Sequence, residues 1–452
     1  MRNDRPVQAA TQPSESGKPS IGLLGAAAIG IGGMVGGGIF AVLGVAAKDA
    51  GAATPLAFAV GGAVAALTAY SYSKLSVAFP SAGGTVSFID RVFGVNEITG
   101  TLNAVLWAGY VVTTALYASA FGHYTATLFP GGTNPSPVFL RMLILAAVAF
   151  PWLVNLLSAG LVAKTEGVVV TVKLLILAVV IAAGVPTVSA TKLAPGSWPS
   201  PVTVAAAGML IFVAYEGFEL IANASQDVRN PRHTLPRAFA LSVGLVIVLY
   251  VLIAAVVVGS LSPAEIARSA DFALAQAAST TLGSIGFKLV AVSAMLATLS
   301  AINATLYGAA RLSYTIASEG ELPERFLHLQ WNEPVGLHIT AGAGLAMAIA
   351  LPVTSISALA SAIFLIVFAV VNSAAYSSAR RINANRGITA VGAAGCAVSL
   401  AVLLVRSATH DPTVLPALTG LLAAVVVAEH LVLKKRPARH GKRLALSPKS
   451  DQ

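Results

Sequence analysis

The chain has 452 residues, 56% of them hydrophobic and only 10% charged, with a formal net charge of +10 and one cysteine, Cys396. Soluble domains carry roughly 25% charged residues, so a soluble fold is excluded, and apolar runs of about 20 residues without period-two alternation exclude a transmembrane barrel. A single cysteine excludes an intramolecular disulfide and a cysteine-cluster metal site.

In chain order, residues 1–19 are polar, with Pro and Ser, and predict a disordered cytoplasmic tail. Residues 20–433 form the membrane domain of an all-α polytopic protein. Apolar stretches predict twelve transmembrane segments near 20–47, 52–79, 97–128, 137–157, 163–186, 201–225, 236–260, 284–318, 338–353, 356–378, 388–406 and 412–433. The longest hydrophilic insert, "SEGELPERFLHLQWNEPV", is too short for a soluble domain. An even count puts both termini on one side. If that side is cytoplasmic, inner loops and tails hold 21 of the 28 Lys and Arg, which satisfies the positive-inside rule. Residues 434–452, with "KKRPARHGKR", predict a basic cytoplasmic tail attracted to anionic lipid. The excess positive charge thus follows membrane topology, and no nucleic-acid partner is expected.

Segment 1 contains "GGMVGGGIF" at residues 32–40, five glycines in nine residues. Each interior glycine costs a helix about 1 kcal/mol relative to alanine. An interruption there would free backbone N–H groups and a positive helix end at the midplane, which suits a carboxylate. The competing explanation is close helix packing, because Gly32/Gly36 and Gly33/Gly37 both form GxxxG pairs. Segment 5 carries Lys173 well inside an apolar run. Lysine withdrawn from water is a group suited to carrying a coupled proton, while snorkelling to the inner interface is the alternative. Segment 6 reads "FVAYEGFELIANAS", with Glu216 and Glu219 flanking Gly217. An acid at mid-membrane costs at least ~2.5 kcal/mol even on insertion scales, so two of them around a glycine predict an interrupted helix facing a wet site. If segments 1–5 (about 20–186) and 6–10 (about 201–378) are two repeats, these interruptions occupy corresponding positions, the best sequence pointer to a transporter's midplane site. Segments 11 and 12 (about 388–433) follow as additions. His123, Tyr110, Tyr117 and Tyr307 read as helix packing. The seven histidines are scattered and neither HExxH nor GxSxG occurs, so no enzyme, metal site or cofactor is expected.

Together "GGGIF", "AYEGFE" and the segment-8 stretch "SAINATLYGAARLSYTIASEGELPERF" at residues 300–326 resemble the amino acid–polyamine–organocation superfamily. Within it, "AYSYSKL", "ITGTLNAVLWAGYV" and "VKLLIL" are similar to the archaeal ApcT-type branch of sodium-independent, proton-coupled amino acid transporters. The resemblance covers about residues 20 to 430. It implies a LeuT-like 5+5 inverted repeat with segments 1 and 6 broken at the midplane, plus two extra C-terminal helices. It further implies that the amides of Gly36, Gly37, Gly38 and Ile39 receive the substrate carboxylate. Carbonyls around Tyr215, Glu216, Gly217 and Phe218 would accept from its ammonium, with Phe218 as a gate. Lys173 matches the lysine that replaces a sodium ion in sodium-coupled relatives. It would contact the Gly32 carbonyl and a segment-8 hydroxyl, Ser300 first and Thr298 second. The ApcT-type pattern is neutral where this chain has Glu216 and Glu219, and an acid at the Glu219 position is similar to the arginine–agmatine antiporter branch. Two acids favour a cationic substrate, or Glu219 shares proton duty with Lys173. The implied function is secondary active transport of amino acids or related amines, by alternating access and proton symport, across the cytoplasmic (inner) membrane. Amino acid/amine exchange and a flux-free membrane receptor are the alternatives.

Overall fold

The computed structural model describes residues 20–157, 159–318, 320–331 and 333–434, with side chains described throughout except at 157–166 and 431–434. The tail expected at 1–19 lies outside the described residues, as does the tail expected at 434–452 except for Lys434, which ends a helix.

Apolar sequence becomes helix here because a helix satisfies its own backbone, the condition for crossing hydrocarbon. In chain order the helices are α1 (Leu23–Met34), α2 (Gly38–Ala50), α3 (Thr54–Ala78), α4 (Gly84–Phe93), α5 (Glu97–Ala126), α6 (Pro137–Leu157), α7 (Ala159–Gly184) and α8 (Pro201–Leu210). A 3₁₀ stretch (Phe212–Glu219) leads into α9 (Leu220–Asn223). Then come α10 (Pro231–Ser260), α11 (Pro263–Arg268), α12 (Ala273–Ser318), α13 (Val335–Ala350), α14 (Val353–Ser377), α15 (Arg386–His410) and α16 (Val414–Lys434). Among the described residues, eight helical stretches are long and apolar enough to cross a membrane, and a ninth is the pair Pro201–Leu210 and Phe212–Asn223, bent by 45°. Three shorter apolar helices accompany them, Leu23–Met34, Val335–Ala350 and Val414–His430. The chain is a multi-pass membrane protein.

The helices overlie the expected segments, with three differences. Helix α4 occupies a stretch the sequence leaves as a connection. It buries Val86, Phe88 and Ile89, and a ten-residue amphipathic helix escapes a search for long apolar runs. Helix α12 starts at Ala273 rather than near 284 because the chain kinks at Gly283, where φ is +60°, and helix lies on both sides. The long insert holds a two-residue antiparallel ladder, Leu329–Gln330 with Glu333–Pro334.

Helix α5 is the most enclosed, with 89% of its apolar window buried against 22% for α6. It packs on α12, α13, α14 and α6, while α1 lies against α10 and the 3₁₀ stretch. A capping box at Asn96 starts α5: its side chain accepts from the amides of Ile98 (2.9 Å) and Thr99 (3.2 Å), which serves N–H groups that a helix start leaves unpaired. The entry of α1 is tied to the exit of α9. The amides of Ser20 and Ile21 donate to the Asp227 carbonyl at 3.0 Å, and the Arg229 amide donates to the Ile21 carbonyl at 2.9 Å.

Candidate functional site

Two interrupted helices cross at the centre of the fold. Helix α1 stops at Met34, residues 35–37 form a turn, and α2 resumes at Gly38. A β-carbon on Gly217 would lie 2.1 Å from the Gly33 carbonyl carbon, and one on Gly38 would lie 2.9 Å from the Ala214 Cα. Neither fits, so Gly33, Gly38 and Gly217 allow backbone to meet backbone. Both explanations of the glycine run therefore hold, at different residues. Gly217, grouped with the substrate ligands from sequence, is occupied by this crossing.

The turn leaves donors over. Among the described residues, no acceptor is found for the amides of Gly36, Gly37 or Ile39, and all three residues are buried. Buried N–H groups of this kind at the start of a helix form a cradle suited to an anion.

The freed carbonyls are handled differently. Tyr250 of α10 donates from its hydroxyl to the Met34 carbonyl at 2.6 Å and the Ala214 carbonyl at 3.3 Å, bridging the two interruptions. Ser357 and Ser361 of α14 donate to the Leu210 carbonyl at 2.6 and 2.9 Å, and Ser361 Oγ accepts from the Val213 amide at 3.0 Å. The Phe218 carbonyl, expected to receive an ammonium, already accepts from the Leu220 amide. The Tyr215 side chain points elsewhere: its hydroxyl donates to the Phe58 carbonyl at 2.9 Å. Phe218 is fully buried against the rings of Tyr72, Phe239 and Phe368.

The two acids are both buried but differently served. Glu219 accepts from the hydroxyls of Tyr110 (2.7 Å), Tyr72 (3.3 Å) and Thr85 (3.3 Å). Glu216 accepts at Oε1 from Tyr117 (3.1 Å), and its Oε2 has no partner. Among the described residues, no Lys, Arg or His lies within ion-pair distance of either. The Tyr117 ring abuts Gly37, where an added β-carbon would sit 2.4 Å from Cδ1. One side chain thus connects the Glu216 carboxylate to the amide cradle.

Lys173 is buried, not snorkelled, and its ammonium donates to the Gly32 carbonyl at 3.1 Å. It borders a cavity of about 190 Å³ with Val168, Val169, Val172, Ser293 and Leu296. As for the expected segment-8 contact, no hydrogen bond joins Lys173 to Ser300 or Thr298 among the described residues. The α12 residues beside Lys173 are Ser293 and Leu296, and Ser300 lies two helical turns beyond Ser293, about 10 Å along the axis. Thr298 Oγ1 donates back to the Ala294 carbonyl at 2.7 Å, and its methyl carbon would lie 3.1 Å from a β-carbon on Gly37.

Tyr110 and Tyr117, read from sequence as packing, hold the two acids. Tyr72, Thr85, Tyr250, Ser357 and Ser361 were not singled out. The available signal was the spacing of hydroxyls within apolar runs, such as "SISALAS" in α14. His123 pairs with Asp271 at 3.6 Å, away from these residues, and Tyr307 stacks under Arg311 at 3.9 Å.

The family model described as "Amino acid permease" matches residues 21–427. The chain is 35% identical to the inner membrane transport protein YbaT of Escherichia coli, covering 84% of this chain and 89% of that one. It is 28% identical to cationic amino acid transporter 3, mitochondrial, of Arabidopsis thaliana (71% and 55% covered). It is 26% identical to the methylthioribose transporter of Bacillus subtilis (68% and 69% covered).

Proposed function

This chain belongs to the amino acid permease family, whose members are transporters and not enzymes, and from that premise we propose that it moves amino acids by alternating access, coupled to protons and independent of sodium. The observation that carries the proposal is the set of buried amides without acceptors at Gly36, Gly37 and Ile39. A substrate carboxylate is the natural occupant of such a cradle. The relatives' names extend from cationic amino acids to methylthioribose, and it is the cradle that favours a carboxylate-bearing cargo here.

In this proposal the helices form twelve spans, two inverted repeats of five and two additions. Both termini are cytoplasmic in the inner membrane, with the basic tail against anionic lipid. Lys173 is the coupling group. Charged, it joins α7 to the Gly32 carbonyl at the end of α1; when the site opens inward and hydrates, the proton leaves and the bridge weakens. Glu219, with its three hydroxyl donors, is the second group through which protonation acts. One charge moving inward gains ~2.3 kcal/mol per 100 mV, about fifty-fold in accumulation.

Purified protein in proteoliposomes should accumulate labelled amino acid under an inward proton gradient in sodium-free buffer. Uptake by Lys173→Ala protein that a pH gradient still accelerates would remove the lysine from coupling. Uptake that requires amine inside the vesicle would replace symport by exchange.

A further inference from the structure

The two acids of the 3₁₀ stretch do different work, and the difference bears on what is carried. An ionised carboxylate has room for about four hydrogen bonds. Glu219 receives three, all from hydroxyls of the protein. Glu216 receives one, and its Oε2 is without a donor although the residue is only 6% exposed. Leaving a buried carboxyl oxygen without a hydrogen-bond partner is costly in a protein, and no Lys, Arg or His of the described chain lies within ion-pair distance of it. A ligand that brings its own donor would serve this oxygen.

The location narrows the ligand. Tyr117 holds Glu216 Oε1 and rests its ring on Gly37, so the bare oxygen and the amide cradle are separated by about one side-chain length. An amino acid seated by its carboxylate on residues 36–39 reaches the Glu216 region with the far end of its own side chain. We infer that Glu216 is a specificity-determining residue that selects amino acids with a positively charged side chain, an ammonium or guanidinium donating to Oε2. Diamines lacking a carboxylate leave the cradle empty and are poorer ligands. This inference rests on the permease reading above, because it takes the cradle as the carboxylate's seat.

The test compares side chains of equal length. Thermal shift and competition for uptake are measured on the full chain with lysine against norleucine, and ornithine against norvaline. A hydrogen bond to a charged group contributes roughly 1.5–3 kcal/mol, so lysine should compete at least about tenfold better than norleucine. In Glu216→Gln protein that ratio should fall toward one. Equal binding of lysine and norleucine by the wild type overturns the inference and leaves the permease reading standing. An unchanged lysine preference in Glu216→Gln overturns it equally. If no amino acid shifts the melting curve or is carried, the permease reading falls and this inference with it. The wild-type comparison decides the matter even if the variant fails to fold.

Discussion

The two interrupted helices solve one problem in opposite ways. Both free backbone groups that hydrocarbon cannot serve. At the break between α8 and the 3₁₀ stretch, α10 and α14 set hydroxyls against Leu210, Val213 and Ala214. At the α1–α2 turn, Tyr250 serves the Met34 carbonyl, but the amides of Gly36, Gly37 and Ile39 have no partner within the described residues. One break is closed by the protein and the other is left for a visitor. A break is therefore a candidate site when its own fold declines to fill it.

Several substitutions break or sharpen this contrast. The largest effect should come from Gly217→Val, which forces a side chain into the Gly33 backbone. Its stability in detergent, followed by the melting temperature, should fall by an amount at or above the upper end of the roughly 1–3 kcal/mol typical of overpacking. Tyr250→Phe strips the shared donor from Met34 and Ala214. About 1–3 kcal/mol of stability should be lost, with uptake falling as the two breaks lose their common tether. Next is Ser361→Ala, which orphans the Val213 amide while Ser357 still serves Leu210; about 1 kcal/mol should go. Ser357→Ala should cost less, because Leu210 keeps Ser361, and a double-mutant cycle should show the two serines to be non-additive. The smallest effect is expected for Ser300→Ala, within about 0.5 kcal/mol of wild type and without change in the pH dependence of uptake. A large effect there would restore the contact that the structure does not form.

The sequence made the positions of both breaks legible. Glycines and buried acids are costly in a membrane helix, and their cost is visible without coordinates. The partners of those breaks were not legible. Gly33 differs from Gly36 only in what lies opposite, Gly217 in one case and Ala301 in the other, and that is a property of the crossing. Tyr110 and Tyr117 resemble ordinary aromatic packing until Glu219 and Glu216 stand against their hydroxyls. The Lys173–Gly32 contact matches the geometry that the family resemblance implied. The hydroxyl expected opposite it does not, because a helix register two turns off cannot be read from one strand of sequence. Helix α4 was missed for a simpler reason, since ten residues leave no membrane-length trace.

The short parallel bridge between Ile21 and Val228 gives the molecule a mechanical property. It yokes the residues just before α1 to the chain leaving α9 by main-chain bonds, which do not depend on side-chain chemistry short of a proline. Those two arms must therefore swing as a single lever, or three bonds must snap before either can move alone. Cross-linking residues 21 and 228 would preserve the first kind of stroke and stall the second.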